Sequence, residues 1–168
     1  MAFVAGGILF VAAATITGRL DARIIDRIAL WSRIGLSITF FYSALAKLTN
    51  PWTVLGGSIV QFQVGLDEKS PLLHPLAVAI PWAELAVAIL LLFPLRWVVL
   101  ATGAALMGFL GLGVASAVRD MQVQCGCWGG TMLVGPLWFC EHGGMFVMAL
   151  AADGVLTKRL FRPAWQTA

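Results

Sequence analysis

Charged residues are scarce in this sequence. They make up 11% of its 168 residues, whereas 60% are hydrophobic, and a soluble domain of ordinary composition carries about 25% charged residues. The net charge of +3 is small and scattered along the chain, which argues against nucleic acid as a partner. We therefore expect an all-α integral membrane protein that is surrounded by membrane lipid and has no separate soluble domain.

Histidine and cysteine are also rare, with two and three copies. A metal site at the loop cysteines Cys125 and Cys127 would have to recruit Cys140 and His142 as soft ligands for copper(I) or as part of a zinc set. The sequence lacks a second Cys-x-x-Cys or a histidine pair to complete such a set, so we predict no metal. It also carries no sequence signature for haem or flavin.

Long apolar runs predict an antiparallel bundle of four transmembrane helices, over residues 28–48, 76–93, 97–118 and 133–156. A shorter apolar run at residues 2–17 predicts one additional short N-terminal hydrophobic helix. Sixteen helical residues reach only about 24 Å, less than the roughly 30 Å hydrocarbon core, so this helix either tilts or lies in the interface.

The predicted helices divide the chain into three regions. Residues 1–27 hold the extra helix and a charged connector, residues 28–156 hold the four-helix bundle, and residues 157–168 form a basic cytoplasmic tail. Residues 50–75 are a loop in which apolar side chains recur at helical spacing. This spacing predicts a helix that lies flat on the membrane.

Lysine and arginine fall mainly on one side of this arrangement. Arg33, Arg96 and the basic residues of the two terminal regions share one side, whereas Lys47, Lys69 and Arg119 lie on the other. The positive-inside rule then predicts a cytoplasmic C-terminus and a periplasmic cysteine loop in a bacterial inner membrane. The periplasm is oxidising, so paired thiols there can hold a disulfide.

Cys125 and Cys127 lie one residue apart in a glycine-rich loop. Thiol-disulfide exchange needs a thiolate, a second sulfur that resolves the mixed disulfide, and a group that takes up the proton. The small ring that Gly126 would allow favours a readily reduced, redox-active bridge. A static bridge or a pair of free thiols remains the alternative.

Glu84 is an ionisable residue deep in the second predicted span of the bundle. Holding a charge at that depth costs several kcal/mol without a partner, so such residues are candidates for function. We expect Glu84 to be protonated, or paired with Lys47, Tyr42 or His142, and to serve proton uptake. The alternative is a structural polar contact between helices.

A second polar group lies early in the last predicted span, at Cys140, Glu141 and His142. His142 is either a proton relay or a hydrogen-bonded structural group. Cys140 is an inert apolar filler, unless the helix brings it near Cys127 as a resolving thiol. The tryptophans, Trp138 among them, are typical of an interfacial belt.

Four motifs in order carry a family resemblance. They are Arg33, the run from Ala44 to Pro51, the run from Pro81 to Leu85, and the run from Cys125 to Gly129. This pattern resembles the MauE branch of the MauE/DoxX family over about residues 28–156. Trp128 departs from it mildly, because phenylalanine is more usual there, and the N-terminal run departs more.

The resemblance implies a four-helix inner-membrane protein that is associated with redox processes. Family members are linked to a periplasmic thioredoxin-like partner or to quinone-coupled sulfur oxidation, so a quinone is the expected cofactor. By position, Cys125 and Cys127 match the paired cysteines of the family, Glu84 matches its acidic residue, and Lys47 belongs to its first-helix signature.

Two functions follow from these observations. The first is a membrane thiol-disulfide or electron-transfer protein that acts through Cys125 and Cys127 on a thioredoxin-like or cysteine-bearing partner. The second is a non-catalytic structural or assembly subunit of a larger membrane complex. The sequence leaves open whether the chain is an enzyme.

Overall fold

The computed structural model describes residues 22–49, 57–62, 69–125 and 132–154 and is mostly helical. The described elements, in chain order, are helices α1 (Ala22–Thr49), α2 (Gly57–Gln61), α3 (Leu73–Leu91) and α4 (Arg96–Val118), strands β1 (Gln124–Cys125) and β2 (Met132–Leu133), and helix α5 (Pro136–Ala152). Three of these helices, α1, α3 and α4, are long and apolar enough to cross a membrane. The predicted helix at residues 2–17 and the basic tail lie outside the described residues.

Two helices begin earlier than the sequence analysis predicts. α1 begins at Ala22 rather than residue 28, because a helix can continue through charged residues once it has left the hydrocarbon. α3 begins at Leu73 rather than residue 76, which puts Pro75 at its third position. Proline is tolerated in the first helical turn, where backbone N–H groups have no partner in the helix.

The last helix begins later than predicted. α5 has 17 residues and begins at Pro136, where the ring of proline suits the first position of a helix. The prediction begins this helix at residue 133, but Met132 and Leu133 form a strand instead.

The four long helices pack in an antiparallel order. α1 packs against α3 and α5, and α4 packs against α5, whereas α3 and α4 contact each other less than any of these pairs does. Between α1 and α3, the hydroxyl of Ser37 donates a hydrogen bond of 2.7 Å to the carbonyl oxygen of Ala88. A buried core of leucine, valine, methionine and alanine residues fills the space between them, including Leu36, Val99 and Met145.

One end of this helical assembly carries the cysteine strand, and we call it the hairpin end. β1 and β2 pair antiparallel there, with Gln124 opposite Leu133 and Cys125 opposite Met132. The side chain of Gln61 in α2 accepts a hydrogen bond of 2.7 Å from the backbone N–H of Gln124. The predicted flat helix is therefore a helix of five residues within the described chain, and it is tied to the cysteine strand.

The opposite end, which we call the turn end, contains the connection between α3 and α4. Arg33 Nε donates to the carbonyl of Ala152 at 3.1 Å, and Nη1 donates to the carbonyl of Phe93 at 3.4 Å. Arg96 Nε forms a 3.1 Å ion pair with Asp153. Arginine thus satisfies carbonyl groups at helix C-termini that have no partner within the helix.

Candidate functional site

A buried ion pair joins α1 to α3. Lys47 Nζ contacts Glu84 Oε1, with side chains that are only 3% and 14% exposed. Lys47 Nζ also donates to Ser43 Oγ at 3.0 Å, and Ser43 Oγ donates to Glu84 Oε2 at 3.2 Å. Of the three partners predicted for Glu84, the structure brings Lys47 into contact with it.

The local sequence explains this cluster. Ser43 and Lys47 are four residues apart, so they lie one above the other on the same face of α1. Glu84 is eleven residues from the start of α3, about 16 Å along the helix, and the long lysine side chain reaches it from near the end of α1. Ser43 is a member of the cluster that the sequence analysis missed, although its spacing to Lys47 was the available signal.

The ion pair forms part of the wall of a cavity of about 210 Å³. All four long helices line the cavity, and Ser43, Lys47, Glu84 and His142 supply its polar groups together with Thr39. The rest of the lining is apolar and includes the rings of Phe40 and Phe109. The cavity therefore suits a molecule with a polar head and an apolar body.

His142 presents a hydrogen-bond acceptor to this cavity. Its Nδ1 lies 3.0 Å from the carbonyl oxygen of Trp138, which only accepts, so Nδ1 carries the hydrogen. In the neutral ring Nε2 is then the acceptor. Nε2 has no hydrogen-bond partner within the described part of the chain, and the ring lines the cavity.

Trp138 holds His142 in place and is fully buried, which corrects its prediction as an interfacial residue. The indole stacks on His142 with ring centroids 4.1 Å apart. It lies against Gly113 of α4, where a Cβ atom would overlap the indole ring. Trp138 sits one helical turn before His142, a spacing visible in the sequence, but its burial depends on glycine in another helix.

The other predicted site residues lie elsewhere. Tyr42 is 58% exposed and does not line this cavity. Cys140 is a free, exposed thiol, and Glu141 is absent from the cavity lining. Cys125 lies in β1 at the hairpin end, whereas Cys127 falls outside the described residues.

No cluster of three or more metal-ligating side chains occurs in the described ranges. These ranges omit Cys127, one of the two loop cysteines to which the metal alternative would add Cys140 and His142. Cys140 and His142, the two ligands that this alternative would recruit, are neighbours on α5, but only His142 lines the cavity.

These features define a multi-pass helical membrane protein with a buried ion pair on the wall of an apolar cavity. A family model described as methylamine utilisation protein MauE matches residues 25–156. The chain therefore belongs to the MauE family, which confirms the resemblance to MauE and associates the protein with methylamine utilisation. No curated protein and no solved structure matches the chain.

Proposed function

We propose that this MauE family protein transfers electrons between a periplasmic thiol partner and a membrane quinone. Cys125 and Cys127 exchange with the partner, and the cavity beside Glu84 binds the quinone. The observation that carries the proposal is the cavity itself, where an ion pair and the acceptor nitrogen of His142 share an apolar chamber. A merely structural ion pair needs no chamber beside it.

The cavity fits a quinone headgroup in size and in chemistry. Ligand pockets usually measure about 300–1,000 Å³, so a cavity of about 210 Å³ suits a single substituted ring rather than a whole lipid. Lys47 has a third N–H that can donate to a carbonyl oxygen of the ring, and His142 Nε2 is an acceptor for a hydroxyl. A bound quinone would supply the oxidant, taking up two electrons and two protons.

The cysteine pair carries the exchange with the partner. A partner dithiol gives two electrons and two protons to the Cys125–Cys127 disulfide, so the partner's disulfide forms and both cysteines become thiols. Reoxidation of the two cysteines to the disulfide releases the same two electrons and two protons. Glu84 and His142 move those protons towards the cavity, and Lys47 holds the Glu84 carboxylate in position.

Cysteine substitution tests the exchange step. We expect Cys127→Ser or Cys125→Ser to trap a mixed disulfide with a thioredoxin-like periplasmic protein, visible as a reducible adduct on a non-reducing gel. Cys140→Ser is the matched control. It removes an exposed thiol on α5 and leaves both loop cysteines in place, so it should trap no adduct. If neither loop variant traps a partner and both support function, the redox proposal is wrong.

His142→Phe tests the role of the cavity acceptor. Phenylalanine keeps a ring to stack on Trp138 but removes Nε2, and loss of a general acid or base typically slows a reaction by about 10²–10⁴-fold. Dithiol-driven quinone reduction by the protein in vesicles is the measurement. His74→Phe, which changes an exposed histidine outside the cavity, should leave the rate unchanged.

The proposal also includes an orientation. α5 acts as the fourth membrane span of a four-helix bundle, the hairpin end faces the periplasm of a bacterial inner membrane, and the C-terminus is cytoplasmic. The distribution of lysine and arginine supports this orientation. Topology reporters fused at Ala168 and inserted between Asp67 and Ser70 test it, and a periplasmic signal from Ala168 would contradict it.

A non-catalytic subunit of a larger membrane complex is the second candidate function. One face of α4 favours it, because Ala101, Ala104, Gly108, Gly111 and Ala115 are all exposed at alternating spacings of three and four residues. Small residues in such a row permit close approach of another membrane helix. On this reading the cysteine variants and His142→Phe retain function, whereas Gly108→Leu weakens assembly of the complex.

A further inference from the structure

The cavity lining is exposed at only two of its residues. Ala83 of α3 and Ala105 of α4 are exposed, whereas each of the other lining residues is buried or partly buried. Ala83 lies eight residues before the end of α3, and Ala105 lies nine residues after the start of α4. The two alanines are therefore at nearly the same depth, about 12–14 Å from the turn that joins the helices.

Helices α3 and α4 also form the weakest interface between sequential long helices. They contact each other less than α1 contacts α3 or α4 contacts α5. Alanine fills little of the space between two helix backbones, so a gap remains where both helices carry it. The cavity thus reaches the surface of the assembly within the apolar belt of two membrane-spanning helices.

Most polar groups of the cavity lie on helices other than the two that flank this gap; Glu84, which follows Ala83 on α3, is the exception. Lys47, Ser43 and His142 belong to α1 and α5 and are buried, whereas the two exposed alanines belong to α3 and α4. A ligand that spans this arrangement needs a polar head at the inner wall and an apolar portion at the gap. The limited cavity volume leaves a long tail outside, among the lipid chains.

We propose that the gap between Ala83 and Ala105 is a lateral opening through which an isoprenoid quinone enters from the lipid, with its tail left in the gap. The inference rests on the proposed function for the quinone headgroup and adds the route of entry and the requirement for a tail. The chain takes its oxidant from the membrane rather than from water.

Phenylalanine substitution at the gap tests the route. Ala83→Phe and Ala105→Phe place a ring in the opening at exposed positions, where the fold tolerates it. Ala86→Phe and Ala117→Phe are matched controls, because they are exposed on the same two helices but do not line the cavity. Dithiol-driven reduction is measured in phospholipid vesicles with a long-tailed ubiquinone and, separately, with its tail-less benzoquinone, after subtraction of the rate in empty vesicles.

We expect the two gap variants to reduce the long-tailed quinone about tenfold more slowly, because crowding of a packed site typically has an effect of this size. The tail-less quinone and both control variants should retain the rate of the wild type. An unchanged rate with the long-tailed quinone in both gap variants overturns the lateral opening alone. Equal loss with both quinones also overturns it, because the ring then blocks the headgroup site itself.

Failure of the proposed function gives a different result. If the wild-type protein reduces neither quinone above the rate of empty vesicles, both the function and the opening for a quinone are refuted. If the wild type reduces the tail-less quinone but not the long-tailed one, the cavity is redox-active but receives its ligand from water. Thermal unfolding of each variant, compared with the wild type, checks that loss of rate reflects the opening.

Discussion

The protein contains two ion pairs, and their surroundings differ. At the turn end, Arg96 is 53% exposed and pairs with Asp153 at the C-terminus of α5. Between the last turn of α1 and the middle of α3, Lys47 and Glu84 are both largely buried and lie on the wall of a cavity. The first pair sits where helices end, whereas the second lies along the length of α3.

This difference supports the proposed functional role of the buried pair. The last backbone carbonyl groups of a helix have no partner within the helix. At the turn end, charged side chains satisfy such groups, as Arg33 does for the carbonyls of Ala152 and Phe93. The buried pair satisfies no helix terminus, and burying two ions often contributes less stability than apolar residues of the same volume would. Its position beside a cavity therefore points to chemistry rather than stability.

Breaking the buried pair should have the largest effect on stability. We expect Lys47→Met or Glu84→Gln to lower the free energy of unfolding by about 3–5 kcal/mol, because each leaves a buried group without its ionic partner. The double variant should lose much less, because no unpaired ion remains. Unfolding in detergent, followed by tryptophan fluorescence, measures this. A double variant as unstable as the sum of the two single variants would contradict the coupling between Lys47 and Glu84.

Overpacking at Gly113, which lies against the indole of Trp138, should have the next largest effect on stability. In Gly113→Ala the new methyl group overlaps the indole of Trp138, and overpacking of this kind costs about 1–3 kcal/mol. Gly111→Ala is the control on the same helix, because a Cβ atom there meets nothing within 4 Å. Thermal unfolding should show a loss for the first variant and none for the second, because alanine favours a helix more than glycine does. Equal losses in both variants would mean that contact with the indole does not set the result.

The pair at the turn end, in which Asp153 is buried and Arg96 is exposed, should matter least. We expect Arg96→Gln to lower the free energy of unfolding by about 0.2–1 kcal/mol, because solvent screens an ion pair with an exposed arginine. Quinone reduction should retain the rate of the wild type. The comparison between the two pairs fails if this variant slows quinone reduction as much as Glu84→Gln does.

Much of the architecture could be predicted from the sequence. The order of the helices, their membrane-spanning character and the MauE resemblance all follow from apolar runs and four motifs. The start of α1 could not be predicted, because hydrophobicity marks where the membrane ends rather than where the helix ends. The start of α3 was misplaced because Pro75 was interpreted as a helix boundary, although it fits the first turn.

The site was only partly accessible from the sequence. Glu84 and Lys47 were identified because ionisable residues in an apolar span stand out. Ser43 and Trp138 were missed as site residues because serine and tryptophan are ordinary in such helices. Their roles depend on which helices are neighbours. The cavity itself arises from the arrangement of four helices, which no single stretch of sequence encodes.

The bond between Gln61 and Gln124 links two segments that are 63 residues apart in the chain. Because the Gln124 amide hydrogen is held by a side chain of α2 rather than by β2, deuterium reaches it when α2 loosens, whether or not the two strands separate. Gln124 directly precedes Cys125, so the hydrogen exchange rate of the Gln124 amide reports how often the backbone beside that cysteine is released from α2.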